Sequence, residues 1–383
     1  MLRRKQYSRV IIHQFDPESP VPGGVDTCIR DLLDRAPEGE RILVIGVSRT
    51  RPLHRRVTLE SFRRPIDFIP VSRANPGDQV RFIPHSIRVA LGSLLPLAWG
   101  STRRSVVQIH RVEAGLVTRL FPSRRRVYFV HTNTAASLES HSDSFWRKAP
   151  RAFRLLERAV LRSADLTVVF NKESAAGYAA DGYLVKHMRT WYNEELYHPL
   201  LDAENRSSTS PTVLWVGRLE APKDPLLAID AFATLKRDSP RSWRCLVVGD
   251  GTLRDDMMHR ISAHCLEGSV ELTGAVSRSK VAELMRDADV LLMTSRFEGS
   301  PRVMYEAMGS ALPVVASVEA DPDFAIQHSK NGIRITGREA GDFAKAIDQA
   351  MGLPRDDVYE SVRAQAASTM VAEVWDATKG EPS

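Results

Sequence analysis

The chain has 383 residues, of which 43% are hydrophobic and 26% charged, an ordinary globular composition at a length that exceeds what one core usually serves. Its longest apolar runs, such as Leu94-Leu95-Pro96-Leu97-Ala98-Trp99, fall far short of a bilayer crossing, and no nucleic-acid motif accompanies the net charge of +6, so a membrane spanner and a nucleic-acid partner are both excluded as readings. The charge is unevenly divided: residues 1–200 hold 32 Lys and Arg against 19 Asp and Glu, the rest 21 against 28. Arginine clusters (Arg55-Arg56, Arg63-Arg64, Arg103-Arg104, Arg124-Arg125-Arg126) make the first half suited to a phosphate-bearing acceptor or to peripheral contact with an anionic membrane. Cys28, Cys245 and Cys265 lack metal-ligand spacing, which fits a reducing, cytoplasmic setting.

In chain order, Val10-Ile11-Ile12 predicts a first strand ending at His13, then a loop closing on Pro22-Gly23-Gly24-Val25 and a helix from about Asp26. Paired glycines let backbone approach a ligand closely, although a tight turn uses them equally. The segment 83–99 places His85, Arg88, Leu91, Leu94, Leu95 and Trp99 on a partly amphipathic helix, for which a core helix is expected over an interfacial one. Val106-Val107-Gln108-Ile109 ends at His110, and Val127-Tyr128-Phe129-Val130 ends at His131. Ligands of α/β folds gather at such strand ends, which favours a catalytic role for His131 and leaves His13 and His110 open between site and sheet.

The polar run from Asp202 to Pro211 has a linker's composition. Beyond it, Val213-Leu214-Trp215-Val216 predicts a buried strand, ended by Gly217, and Asp224-Pro225 are expected to cap the next helix, so that Arg218 and Lys223 share one strand-to-helix loop. A guanidinium and an ammonium there can hold a negatively charged ligand without a metal ion. Strand, loop and helix then repeat: Cys245–Val248 before Gly249-Asp250-Gly251, Val270–Gly274 before Val276-Ser277-Arg278, and a strand from Asp289 to Thr294. That alternation predicts a parallel sheet covered on both faces. Gly249-x-Gly251 is a poor dinucleotide fingerprint, because Arg254 stands where the third glycine belongs. In Phe297-Glu298-Gly299-Ser300-Pro301-Arg302-Val303, Ser300 is the expected N-cap and Pro301 the first helical residue, leaving the Arg302 and Val303 N–H groups to an anion. Glu298 before that cap and Glu306 on the second turn can accept hydroxyl hydrogen bonds. A last helix is expected from about Pro354 to Thr378.

The stretch from Glu298 to Glu306, with Gly309-Ser310-Ala311-Leu312-Pro313 after it, resembles the Glu-x7-Glu signature of retaining glycosyltransferases, in particular glycosyltransferase family 4. The resemblance implies an α/β GT-B architecture of two Rossmann-like doubly wound domains facing across a cleft: an acceptor domain over 1–195, a linker over 196–211, a donor domain over 212–355, and a terminal helix over 356–383 returning to the first. It implies a hexosyltransferase-type enzyme that takes a nucleotide-sugar, UDP being the commonest family choice, needs no metal and no cofactor, and builds on a carbohydrate or lipid-linked acceptor, as in polysaccharide or glycolipid synthesis. Carried onto this chain, Arg218 and Lys223 would stabilise the leaving diphosphate, the backbone of 299–303 would hold phosphate, Glu298 would bind sugar hydroxyls and Glu306 ribose hydroxyls. Gly23, Gly24, Gly217, Gly249 and Gly251 would lie near the donor, backbone near Val276 and Arg278 would meet the base, and His131 would support the sugar's developing positive charge. One departure stands out. Where relatives often carry glycines after the strand ending at Ser317, this chain has Glu319-Ala320-Asp321, and its Asp321-Pro322-Asp323 looks like the metal-binding Asp-x-Asp of a different architecture without being expected to act as one. Two alternatives stay open on the residues alone: a sugar-nucleotide epimerase of the same fold, and a non-catalytic nucleotide-sugar-binding subunit of a polysaccharide assembly complex.

Overall fold

A computed structural model of the protein describes residues 5–19, 23–74, 84–99, 102–131, 146, 149–200 and 210–379. The chain divides into two compact units, one holding the described residues up to Met188 and from Val371 onward, the other running from Arg189 to Met370.

The first unit is built from β1 (Arg9–Ile12), α1 (Gly24–Asp34), β2 (Ile42–Ser48), β3 (Val57–Leu59), β4 (Ile66–Arg73), α2 (His85–Gly92), α3 (Leu94–Trp99), β5 (Val106–Ile109), α4 (Val112–Thr118), β6 (Arg125–Val130), α5 (Pro150–Ser163), β7 (Leu166–Val169), α6 (Lys172–Ala180) and β8 (Val185–His187). Its sheet runs β3-β4-β2-β1-β5-β6-β7-β8, and every pair is parallel except β3 with β4. β1, β5 and β7 are buried along their whole length, as strands covered on both faces must be. Strand order reverses between β1 and β5, and their carboxyl ends deliver His13 and His110. The segment read as one amphipathic helix folds as two. α2 buries Val89 and Ala90, and its Gly92 lies so close to β4 that an added Cβ would stand 2.7 Å from the Val71 carbonyl. These are the contacts of a core helix.

The second unit comprises β9 (Thr212–Val216), α7 (Pro225–Asp238), β10 (Arg244–Val248), α8 (Arg254–Ala263), β11 (Val270–Gly274), α9 (Arg278–Asp287), β12 (Val290–Met293), α10 (Arg302–Gly309), β13 (Val314–Ser317), β14 (Gly332–Ile335), α11 (Ala340–Ala350), α12 (Arg355–Glu360) and the start of α13 (Ala367–Lys379). The sheet order is β11-β10-β9-β12-β13-β14, all parallel. Trp215, Ile229, Phe232, Phe343 and Ile347 pack on one face; Leu214, Met304, Tyr305 and Met308 pack on the other. Each of the larger side chains contributes about 1.5–3 kcal/mol by leaving water. Cys245 lies in β10, where burial pushes its thiol up to about 12.

Residues 189–200 belong to this second unit because Tyr192 and Tyr197 are part of its core, with the Tyr192 ring covering Gly309 so tightly that a Cβ there would lie 2.4 Å from it. The expected single helix from Pro354 to Thr378 is broken. After α12 and a 3-10 turn (Arg363–Gln365), the chain straightens at Ala366 to bridge with Tyr192, whose N–H donates to the Gln365 carbonyl at 3.2 Å and whose carbonyl accepts the Ala367 N–H at 2.9 Å. That exchange of backbone hydrogen bonds replaces the helical ones. α13 then carries the chain back into the first unit, where its Trp375 and Thr378 are buried.

Candidate functional site

In the second unit the strand order reverses between β9 and β12, and the crevice beside such a reversal is where open α/β sheets take ligands. Two loops close it, 217–224 after β9 and 294–301 after β12, and they are stitched together. The Arg296 N–H donates to the Pro222 carbonyl at 2.9 Å, and the Thr294 hydroxyl lies 2.8 Å from the Asp224 carbonyl. Asp224 sits in the left-handed region at φ 46°, and its side chain makes no helix cap, contrary to expectation. Its carboxylate instead pairs with Arg296 at 2.8 Å and Arg338 at 2.7 Å, while Arg338 also donates to the Thr294 carbonyl. Two cations thus hold the turn that positions Lys223.

Across these loops Lys223 Nζ meets Glu298 Oε1 at 2.5 Å, and the Ser295 hydroxyl donates to the same oxygen at 2.8 Å. The Glu298 side chain is 9% exposed and that of Lys223 25%, so the pair is open on the lysine's side. Glu298 Oε2 has no partner among the described residues, and an ammonium has three donors, so both groups retain capacity for a ligand. Arg218 is exposed and its side chain makes no hydrogen bond or ion pair among the described residues. It is an accessible cation one residue past Gly217.

The glycines of this unit are fixed by packing. A Cβ on Gly249, whose φ is 142°, would fall 1.8 Å from the Gly217 carbonyl oxygen, and one on Gly251 would fall 2.5 Å from that of Leu219. Close approach of two strand-end loops therefore excludes a side chain at both positions. Gly217 in turn gives its N–H to the Val248 carbonyl at 3.0 Å.

The helix after Gly299 starts later than expected. α10 begins at Arg302 with Pro301 in the N-cap position, and the Ser300 hydroxyl caps nothing: it is buried without a partner, while the Ser300 carbonyl takes the Arg302 N–H at 2.9 Å in a tight turn. The Arg302 N–H is thereby occupied. Val303 N–H remains among the first-turn amides that have no intrahelical acceptor. The Arg302 guanidinium lies over the Trp191 ring at 5.4 Å. Near them the buried Tyr197 phenol has its pKa raised by burial, then by the Glu306 carboxylate, against the pull of Arg278 and Arg302, so these three predicted residues share one neighbour. Val276 packs on the core beside Ser277, which caps α9 by accepting the Lys280 N–H at 3.2 Å and leaves Arg278 as its first residue.

Sequence reasoning missed Ser295, Asp224's ion pairs, Arg338 and Tyr197. A serine three residues before a glutamate, or an arginine far downstream, carries no pattern of its own. Asp321, by contrast, is accounted for by structure: it accepts the Ala325 and Ile326 N–H groups at 2.7 and 3.1 Å and lies 3.4 Å from Arg334.

The first unit brings His13, His110 and His131 to the carboxyl ends of β1, β5 and β6. His110 Nδ1 and His131 Nε2 are 2.7 Å apart, and the His13 and His110 ring centroids 5.5 Å. His13 and His110 are buried, and burial, followed by nearby positive groups, holds both well below the usual imidazole range. Both are neutral at physiological pH. His131 stacks on Phe170 at 5.0 Å. Gly23 precedes α1 in extended backbone and Gly24 is its first residue; both are exposed, and Asp26 on the same turn lies 3.7 Å from His13. Pro22 and the run from Thr132 to Ala136 lie outside the described residues, as does most of the expected linker. Of the basic clusters, Arg124 and Arg125 donate to carbonyls at the end of α13, whereas Arg103 and Arg104 are exposed. Among the described residues no helix is long and apolar enough to cross a membrane.

Residues 200–368 match the glycosyl transferases group 1 profile. A curated relative, an amylovoran biosynthesis glycosyltransferase of Erwinia amylovora, is 27% identical over 54% of this chain and 55% of its own length. The chain thus spans about half the length of that relative. Among solved structures, a sucrose-phosphate synthase from Thermosynechococcus elongatus superposes with a TM-score of 0.79 at 19% identity, covering 97% of this chain and 98% of that one. An Anabaena protein solved in complex with UDP and glucose superposes with a TM-score of 0.72 at 17% identity, covering 98% and 100%.

Proposed function

Because the chain belongs, through residues 200–368, to the glycosyl transferases group 1 family and has its GT-B fold, we propose that it is a retaining enzyme moving a sugar from a nucleotide-sugar to a hydroxyl of a carbohydrate or lipid-linked acceptor. The observation that carries this reading is the Lys223–Glu298 pair, held between the two loops of the second unit's switch point. A nucleoside diphosphate placed there gains negative charge as the sugar bond breaks. Arg218, exposed and unengaged, and Lys223, with donors to spare beyond Glu298, stabilise that charge without a metal ion. The N–H groups of Gly299, Ser300 and Val303, Val303 foremost, hold phosphate; Glu298 Oε2 accepts a sugar hydroxyl and Glu306 the ribose hydroxyls. The partly exposed His131 ring meets the sugar.

The donor's base is proposed as uracil from the structural relative solved with UDP. The basic first unit suits an acceptor bearing phosphate or presented at an anionic membrane. Calorimetry with UDP, GDP, ADP and TDP in the presence of a chelator tests the donor site: tight binding of one of them, UDP first, is expected, and its loss in Arg218→Ala places it at this loop. Binding that requires a divalent ion would overturn the metal-free reading. Conversion of the donor sugar without release of free nucleoside diphosphate would identify an epimerase instead.

A further inference from the structure

A chain of hydrogen bonds crosses the interior of the first unit and ends on His131. It starts at Arg9, which is 2% exposed, with its guanidinium carbon 3.9 Å from the Trp375 ring centroid. Arg9 Nη2 donates to the Thr378 hydroxyl and Nη1 to Gln108 Oε1, both at 2.8 Å. Gln108 Nε2 stands 2.8 Å from His110 Nε2, and His110 Nδ1 stands 2.7 Å from His131 Nε2. The register of the sheet explains the alignment. Ile11 pairs with Gln108 in parallel, so Arg9, two residues before Ile11, and His110, two residues after Gln108, fall on one face.

Every hydrogen in this chain follows from its first member. A guanidinium has donors only, so the atom facing it must be the amide oxygen of Gln108. The amide nitrogen is therefore turned to His110 and donates, which requires a bare Nε2 on that ring. Neutral His110 then carries its single hydrogen on Nδ1 and gives it to His131 Nε2. That atom becomes an acceptor, and the hydrogen of neutral His131 lies on Nδ1. Protonating His131 at Nε2 would set two N–H groups against each other across 2.7 Å. Relief would need His110 to move its hydrogen to Nε2, where the amide N–H already points. The surrounding groups reinforce the arrangement: Arg111 adds positive potential near His110, Phe129 stacks on it, and Asp26 faces the neutral His13 rather than His110.

We propose that Arg9, acting through Gln108 and His110, is a positioning residue that fixes His131 as a neutral imidazole with hydrogen on Nδ1 and with Nε2 committed as an acceptor. The tautomer rests on four contacts in the first unit; only its effect on turnover rests on the proposed function. An uncharged ring beside an electron-poor sugar would be kept so by a residue far from it in sequence. A buried arginine without a hydrogen-bonded carboxylate is a costly group to retain, and this relay gives it a task.

Long-range 1H–15N correlation spectra of the full-length protein at neutral pH read the tautomers directly, with His131 assigned by comparison with His131→Asn. Both rings are expected to show a protonated Nδ1 and a bare Nε2. A protonated Nε2 on His110, or a cationic His131 at neutral pH, would overturn the relay. In Gln108→Glu the carboxylate accepts from His110, so both rings should invert and the acid limb of kcat should move to higher pH. A folded variant with unchanged tautomers would also overturn it. If that variant does not fold, the spectrum of the unaltered protein decides alone. A protein with both Nδ1–H rings and no transferase activity would refute the proposed function and leave the relay standing; an active enzyme with an Nε2–H ring on His110 would do the reverse.

Discussion

At the switch point of the first unit, between β1 and β5, the polar groups are His13 and His110, buried and held neutral; at that of the second, between β9 and β12, they are Lys223 and Glu298, an ion pair open to solvent on one side. Both units have doubly wound sheets, the first parallel but for β3 and the second wholly parallel, and place these groups at strand carboxyl ends. Topology thus chooses the location, and the local sequence chooses the electrostatics. Charges that must meet a ligand stay partly hydrated. Groups that only orient one another are buried, where an unpaired donor or acceptor costs enough to enforce a single arrangement.

The largest effect that would break this contrast concerns Arg218. Because its exposed side chain makes no hydrogen bond or ion pair among the described residues, Arg218→Ala should leave thermal stability within about 0.5 kcal/mol yet lower kcat about 10²–10³-fold. Steady-state kinetics beside a melting curve checks both. Near-normal turnover would make the second switch point as structural as the first.

Acid should act on the first unit next. The folded pKa values of His13 and His110 lie well below 6.5, so under mild acid the unfolded chain binds protons that the folded chain refuses. Stability therefore falls as pH drops below the unfolded value, by about 1.4 kcal/mol per pH unit for each histidine. Hydrogen exchange at pH 5.5 against pH 7.5 should show β1 and β5 amides losing protection first. Equal losses in β9 and β12 would remove the distinction between the units.

The smallest effect sharpens the comparison. Lys223→Met leaves Glu298 with Ser295 alone, and after discounting for the lysine's exposure should cost about 1 kcal/mol of stability. Donor affinity should fall further than that. A stability loss with unaltered UDP binding would assign the pair to holding loops together.

The second site was legible because its residues are neighbours in the chain. Glu298 to Val303 and Gly217 to Lys223 are each one unbroken run of sequence, so their types and order could be read directly. Caps were not: Ser300 and Asp224 have capping side chains, but the tight turn at Ser300 and the pull of Arg296 and Arg338 on Asp224 decide otherwise. The first site was half legible. His131, His110 and His13 each end an apolar run, which flagged them, but Arg9 and Gln108 acquire meaning only through the pairing of Ile11 with Gln108, a register that no single segment encodes. The break at Ala366 was hidden for the same reason, since its partner is Tyr192. The one local hint was a glutamine inside Val106-Val107-Gln108-Ile109, a polar residue in a strand that is otherwise wholly apolar.

α13 contributes no histidine and no loop to either switch point, yet Trp375 and Thr378 supply the aromatic face and the hydroxyl against which Arg9 is set. In genetic terms, a stop codon at Trp375 would spare every residue named at both switch points and still remove two of the three groups that hold that guanidinium. Its phenotype would look like an active-site defect although the lesion lies far along the chain from both switch points.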